Sequence, residues 1–165
     1  MKSPRNIKEV QRLIGRITTS SRFMPKMAEK TKPIISLLKK TSCFSWDDRC
    51  ETIFAELKDF LGSPPVIQKP IMSQPIIIYL SVSREAVSSV LVQDLKGEQR
   101  PVYFLSRTLQ EAEVRYQMIE KVALALLMTA RRMRAYFQSH LIIVKTDFPI
   151  AKILEKPDLA GRMIG

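Results

Sequence analysis

The sequence predicts an α/β fold, in which a helical N-terminal segment precedes a mixed sheet carrying one long helix. Three observations predict it. Apolar residues recur at helical spacing before residue 62, and β-rich runs take over after Pro75. Between the two regimes Pro64, Pro65, Pro70 and Pro75 mark an extended connector without helical period.

Ser3-Pro4 suits a helix entrance, with Asn6 and Glu9 as an alternative capping pair, and Ile7, Val10, Leu13, Ile14 and Ile17 form the stripe behind it. Arg5, Lys8, Arg12 and Arg16 fall near i, i+4 intervals on the flank of that helix. From the pattern alone the first expectation for this row is a solvated helix face; the sharper one is a track for a phosphate backbone. Phe23, Met24 and Pro25 end the pattern, and a short second helix is expected around Ile34 to Lys40. A third opens at Ser45-Trp46-Asp47-Asp48, with Ser45 as N-cap and Asp48 as its capping acid, and its stripe is Ile53, Phe54, Leu57, Phe60 and Leu61. Trp46 is expected to pack at the helix start rather than stack on a base. This helix stops at Gly62, which places a module boundary in the connector and divides the chain into 1–62, 63–75 and 76–165.

Beyond Pro75, strands are expected at Ile76 to Ser83, Ala86 to Gln93 and Arg100 to Ser106, with Asp94-Leu95-Lys96-Gly97-Glu98 as a hairpin link. A single helix is expected from 110 to about 137, with Ile119, Val122, Ala123, Leu126, Leu127, Ala130 and Met133 on one face. Arg131, Arg132 and Arg134 cluster near its C-terminal end, where they favour the helix dipole and offer a second, weaker phosphate contact. Leu141 to Asp147 reads as a buried strand, followed by a short element at Ala151 to Leu154 and a polar tail. Strand, hairpin, strand, helix and strand make an α/β layer with a mixed sheet.

Composition narrows the function. The chain has 165 residues, 45% of them hydrophobic, enough for one ordinary domain or a small domain plus part of another. A net charge of +11 favours polyanions, nucleic acid first. The first 70 residues hold 14 basic and 7 acidic residues, so the excess is concentrated there. Cys43 and Cys50 lack Cys-x-x-Cys spacing and the one histidine, His140, is remote, which argues against structural zinc and against Ser-His-Asp or Cys-His catalysis. His140 is expected to make a local hydrogen bond. No Gly-x-x-x-x-Gly-Lys loop is present. No apolar run approaches the ~18 residues of a membrane span and the N-terminus is too polar for a secretory signal, so an intracellular protein with reduced thiols is the default.

Specific words carry a resemblance. Ser3-Pro4-Arg5, Ile7 through Arg16, Phe44-Ser45-Trp46-Asp47, Phe54-Ala55-Glu56-Leu57-Lys58 and Leu61 through Pro65 resemble the thumb and connecting region of gypsy-type retrotransposon reverse transcriptases. Ile78-Tyr79-Leu80, Pro101 through Arg107, Glu113-Val114-Arg115-Tyr116, Glu120-Lys121 and Thr146-Asp147 resemble the ribonuclease H-like domain that follows it. The likeness is nearest to plant elements in which this domain is degenerate. It implies a ribonuclease H-like sheet that stops short of its final strand and later helices, with one sheet edge either exposed or covered by the tail, the N-terminal helices or another copy.

An active ribonuclease H holds two Mg²⁺ ions roughly 4 Å apart on a carboxylate cluster. The resemblance places those acids in the first strand, in the helix, at the end of the fourth strand, and at a later position. Here the first is Ser81, the second is Val122, only Asp147 is retained, and the last would fall beyond Gly165. Glu120, two residues before Val122, is rotated by about 200° on a helix. Glu85 lies roughly 13 Å from Ser81 along an extended strand. Neither repairs the site, so no metal or other cofactor is expected, with Mg²⁺ the ion of any residual nuclease, and Asp147 reads first as a cap of the next element. The resemblance implies a non-catalytic fragment, one piece of a Pol polyprotein, that positions RNA/DNA hybrid through phosphate contacts. Arg5, Lys8, Arg12, Arg16, Arg22 and Lys26 are the candidates, with Arg131 and Arg132 as a second patch. The alternatives are a residual divalent-dependent hybrid ribonuclease acting through Asp147, and a decayed element without a selected role.

Overall fold

The computed structural model describes residues 2–39, 44–151 and 155. Cys43 and most of the element expected at 151–154 lie outside the described residues.

Helix α1 (Ile7–Ser20) starts where Asn6 caps it: the Asn6 side chain accepts from the Glu9 N–H at 3.0 Å, and the Glu9 carboxylate accepts from the Arg5 N–H at 2.8 Å. Val10, Leu13 and Ile17 are buried, but Ile7 stands 39% exposed and leaves the stripe one residue shorter than its spacing suggests. A short 3₁₀ turn, Ser21–Phe23, follows, then Met24 in the extended conformation imposed by Pro25. The second helix is not Ile34 to Lys40: α2 spans Met27–Ser36. Its seam is Met27, Thr31 and Ile34, and the middle member is a threonine whose hydroxyl donates back to the Met27 carbonyl at 2.9 Å, so apolar periodicity does not reveal the first turns. Helix α3 (Asp48–Gly62) is capped by Asp47 rather than Ser45, because the Asp47 carboxylate accepts from the Cys50 N–H at 2.8 Å. Phe54, Leu57 and Cys50 from α3 join the α1 and α2 residues in one apolar cluster.

Strands β1 (Ile76–Val82), β2 (Ala86–Leu95), β3 (Glu98–Thr108) and β4 (Ile142–Lys145) form one mixed sheet in the order β3-β2-β1-β4. β4 runs parallel to β1 and the other pairs are antiparallel. The β2–β3 turn needs two residues at positive φ, which Lys96 (φ 57°) and Gly97 (φ 87°) supply, and the Asp94 side chain accepts from the Gly97 N–H at 2.8 Å. Pro101, without an N–H, sits at an irregular register beside Leu91/Val92 on edge strand β3, and its carbonyl accepts from the Gln68 N–H. The connector is fixed to the sheet rather than free. Buried Gln93 accepts from the Ile71 N–H at 2.8 Å and donates to the Ile71 and Gln74 carbonyls at 2.9 and 3.0 Å.

The expected single helix is three: α4 (Glu111–Val114), α5 (Met118–Arg132) and α6 (Arg134–Ser139). Two capping boxes, Gln110 with Glu113 and Gln117 with Glu120, stop and restart the chain before α5, and Met133 (φ −107°, ψ 31°) breaks it afterwards. The inward face of α5 runs through Val122, Ala125 and Thr129, while Leu126, Leu127 and Ala130 are only half-buried. Thr129 meets Ser89 of β2 in a buried hydroxyl pair at 2.7 Å, so the odd-numbered residues of β2 face α5. The helical segment takes the other face, where the Ala28 N–H donates to the Ser106 hydroxyl at 2.9 Å and Ser106 is registered opposite Ser88. Lys32 of α2 pairs with Glu85 beside that contact.

Candidate functional site

Helix α5 crosses β1 so that the end of β1, the first turns of α5 and the residues just past β4 enclose a cleft of about 700 Å³. Ser81, Val122 and Asp147, far apart in sequence, line this one cleft together with Tyr79, Met118 and Lys145. Among the described residues, Asp147 is its only carboxylate. Val122 is 1% exposed, an apolar wall, and Lys145 brings its ammonium to 5.8 Å from the centre of the Tyr79 ring. The Tyr79 hydroxyl accepts from Gln99 at 2.8 Å. The two acids nearest in sequence are engaged elsewhere: Glu120 accepts from the Gln117 N–H at 2.9 Å, and Glu85 pairs with Lys32.

Two divalent ions at such a site require several carboxylates to offset their charge. One carboxylate, one ammonium, hydroxyls and an apolar wall do not fit them. Among the described residues no group of three or more His, Cys, Asp and Glu is placed to hold a metal ion. Asp147 is exposed, and among the described residues its carboxylate takes no hydrogen bond. His140 lies outside the cleft; its Nδ1 meets the Ser139 hydroxyl at 2.8 Å and its ring stands edge-on to Tyr136 at 6.0 Å. The Cys50 thiol is buried, and that burial, helped by the neighbouring Asp47, pushes its pKa up to about 11, far from a neutral-pH nucleophile.

The basic row divides. Arg5, Arg12 and Arg16 line one cleft of about 350 Å³ between the N-terminal residues, α1 and α3, with Leu13 and Phe54 at its floor. Lys8 is not part of it, because each i, i+4 step advances about 40° around a helix and leaves Lys8 beyond Arg12, on the side away from Arg16, Glu9 and Leu13. Lys2 joins the cleft, a cation that helical spacing does not reveal because it precedes the helix. Arg22 lies over the Phe23 ring at 4.8 Å, and Lys26, in the left-handed conformation (φ 53°), leads into α2; neither lines this cleft. Trp46 packs edge-on against Phe54 at 5.9 Å and sends its indole N–H to Glu51 at 2.6 Å.

Arg131 and Arg132 border a separate groove of about 480 Å³, floored by Leu127 and Met128 and shared with Arg107, which pairs with Glu113 at 2.8 Å. Arg107 is registered opposite Val87, on the α5 face of the sheet, whereas α2 packs on the reverse face. The sheet therefore stands between this groove and the helical segment.

Among the described residues, no helix is long and apolar enough to cross a membrane. Over 163 residues the chain is 28% identical to the Transposon Tf2-3 polyprotein of Schizosaccharomyces pombe, covering 98% of this chain and 12% of that polyprotein. It is similar in fold to a foamy viral protease-reverse transcriptase in complex with RNA/DNA hybrid (TM-score 0.81, 20% identity, 99% of this chain and 23% of that one). The same holds for a foamy viral protease-reverse transcriptase dRH in complex with ds DNA (TM-score 0.78, 20% identity, 95% of this chain and 28% of that one). The chain thus spans a small part of the length of each of these relatives. A family model described as the RNase H-like domain found in reverse transcriptase matches residues 46–144, from Trp46 through the sheet and α5 to Val144, and with more than half of its length inside that match the protein belongs to this family.

Proposed function

We propose that this chain is a non-catalytic part of a gypsy-type reverse transcriptase of the plant kind, a thumb and connection segment (1–62) and a Pro-rich connector (63–75) leading to a degenerate ribonuclease H-like domain (76–165). It positions RNA/DNA hybrid through its phosphates. The observation that carries this reading is the strand-end cleft, where Ser81, Val122 and Asp147 come together with a single carboxylate among the described residues. The division is supported by the cores: one apolar cluster draws only on residues 10–60, and two others only on residues 76–142.

Binding is assigned to the basic residues. Guanidinium groups offer forked donors to phosphate oxygens, and such contacts fix a duplex without reading its bases. Arg5, Arg12 and Arg16, with Lys2, form the principal surface; Lys8, Arg22 and Lys26, outside that cleft, add further contacts, and Arg131 and Arg132 form a second surface. The structural neighbour in complex with RNA/DNA hybrid supports that choice of ligand. In this reading the rest of a polyprotein supplies the polymerase, and no step of this chain's work passes through a metal ion.

Titration of a labelled RNA/DNA hybrid against the chain at several salt concentrations tests the assignment. Arg12→Gln combined with Arg16→Gln is expected to weaken binding and to reduce the slope of log K against log salt by about 2. Unchanged affinity and slope would contradict it.

A further inference from the structure

Residues 2–5 precede the cap of α1, a position where chains ordinarily fray. Here they are held. Pro4 is buried, and the Ser3 hydroxyl donates to one oxygen of Glu51 at 2.8 Å. The other oxygen of Glu51 accepts from the Trp46 indole at 2.6 Å, while Trp46 itself is packed on Phe54. One carboxylate in the first turn of α3 thus fastens the N-terminal segment and the loop before α3 to the same helix. The Ser3 hydroxyl first, then the Trp46 indole, hold the Glu51 carboxyl below the usual carboxylate range, so the bracket is ionised at neutral pH.

The consequence falls on the basic cleft. Of its four cations, which share the cleft with the Glu9 carboxylate, Arg12 and Arg16 are fixed by α1 and the Arg5 N–H is tied to α1 through Glu9, whereas Lys2 stands beyond Ser3, the residue that Glu51 holds. We infer that Glu51 is a positioning residue for polyanion binding: it keeps Lys2 beside Arg5, Arg12 and Arg16, so that all four address the same stretch of phosphate backbone. This rests on the phosphate-binding reading of the cleft.

The inference makes a prediction opposite in sign to simple charge. Deleting a carboxylate beside a phosphate site removes a repulsion and, if nothing else changes, tightens binding. Deleting a bracket releases Lys2 into solvent and weakens it. In hybrid titrations across salt, Glu51→Ala is expected to bind more weakly than the parent chain despite its extra net positive charge, with the salt slope reduced by about 1. Glu51→Gln keeps an acceptor for one tether and lies between the two. Trp46→Phe keeps the packing on Phe54 and cuts only the indole tether, and Ser3→Ala cuts only the other; each is expected to lose part of the slope, and these two carry the test should Glu51→Ala unfold on circular dichroism. Equal or tighter binding of Glu51→Ala with an unchanged slope overturns the inference, as does parental binding by both single-tether variants. Arg12→Gln with Arg16→Gln separates the two levels. If that pair weakens binding and the Glu51 variants do not, the bracket alone fails; if that pair has no effect, the phosphate reading fails and the bracket with it.

Discussion

The strand-end cleft and the N-terminal basic cleft are both assembled from positions separated in sequence, but they tolerate substitution differently. A two-ion site is cooperative: each carboxylate offsets charge that the others leave over, and in the reading proposed above Ser81 and Val122 leave Asp147 without a partner carboxylate among the described residues. A phosphate-binding surface is closer to additive, each cation contributing its own share of released counterions. Lys8 falls outside the basic cleft and Lys2 enters it without changing its character. A scaffold can therefore lose its chemistry at one end while the other end keeps the means to hold a polyanion.

The largest effect that sharpens this contrast is expected from Phe54→Ala. Phe54 is 1% exposed at the floor of the basic cleft, edge-on to Trp46 and beneath the Lys58 ammonium. Its truncation should cost about 3–5 kcal/mol of the stability of the helical segment. Hydrogen exchange is expected to show lost protection in α1 and α3 with β1 and β2 still protected, and hybrid affinity should fall. Equal loss in helices and sheet would break the separation of the two cores.

Thr129→Val acts on the opposite side. It leaves the buried Ser89 hydroxyl without its partner and should cost about 1–3 kcal/mol in denaturant unfolding, while hybrid affinity stays at the parental level. A parallel loss of binding would show that the sheet and the basic cleft are coupled.

The smallest effect is expected at the Asp47 cap. The Cys50 N–H holds the Asp47 carboxyl below its ordinary value of 3.8. A depressed acid contributes stability that is present above that value and is lost as pH falls through the lowered native one. Acid unfolding followed by circular dichroism should accordingly show a shallower acid limb for Asp47→Asn, which keeps a capping oxygen but does not titrate, and a small loss at neutral pH for Asp47→Ala. An acid limb identical to the parent in Asp47→Asn would remove this carboxylate from the account.

Much of the architecture is legible from spacing alone. The three strands after Pro75, a hairpin link within residues 94–98 and the α3 stripe depend on local pattern, and local pattern states them, although β2 and β3 run two residues further into that link than expected and leave only Lys96-Gly97 as the turn. The start of α2 is hidden because its seam runs through Thr31, and the breaks around α5 are hidden because Gln110 and Gln117 cap with the less common glutamine. The meeting of Ser81, Val122 and Asp147 follows in the sequence only from the family resemblance, since nothing in periodicity brings strand ends and a helix turn together. Lys2 and Glu51 are invisible for a similar reason: their roles arise from a hydrogen bond spanning residues 3 and 51.

The most direct measurement incubates the chain with an RNA/DNA hybrid labelled on the RNA strand, in Mg²⁺, in Mn²⁺ and in chelator, beside Asp147→Ala. The account predicts intact RNA in every lane with hybrid still bound at low salt. Divalent-dependent cuts that disappear in Asp147→Ala would contradict it, because the divalent ions would then have found, besides Asp147, ligands that Ser81 and Val122 do not provide.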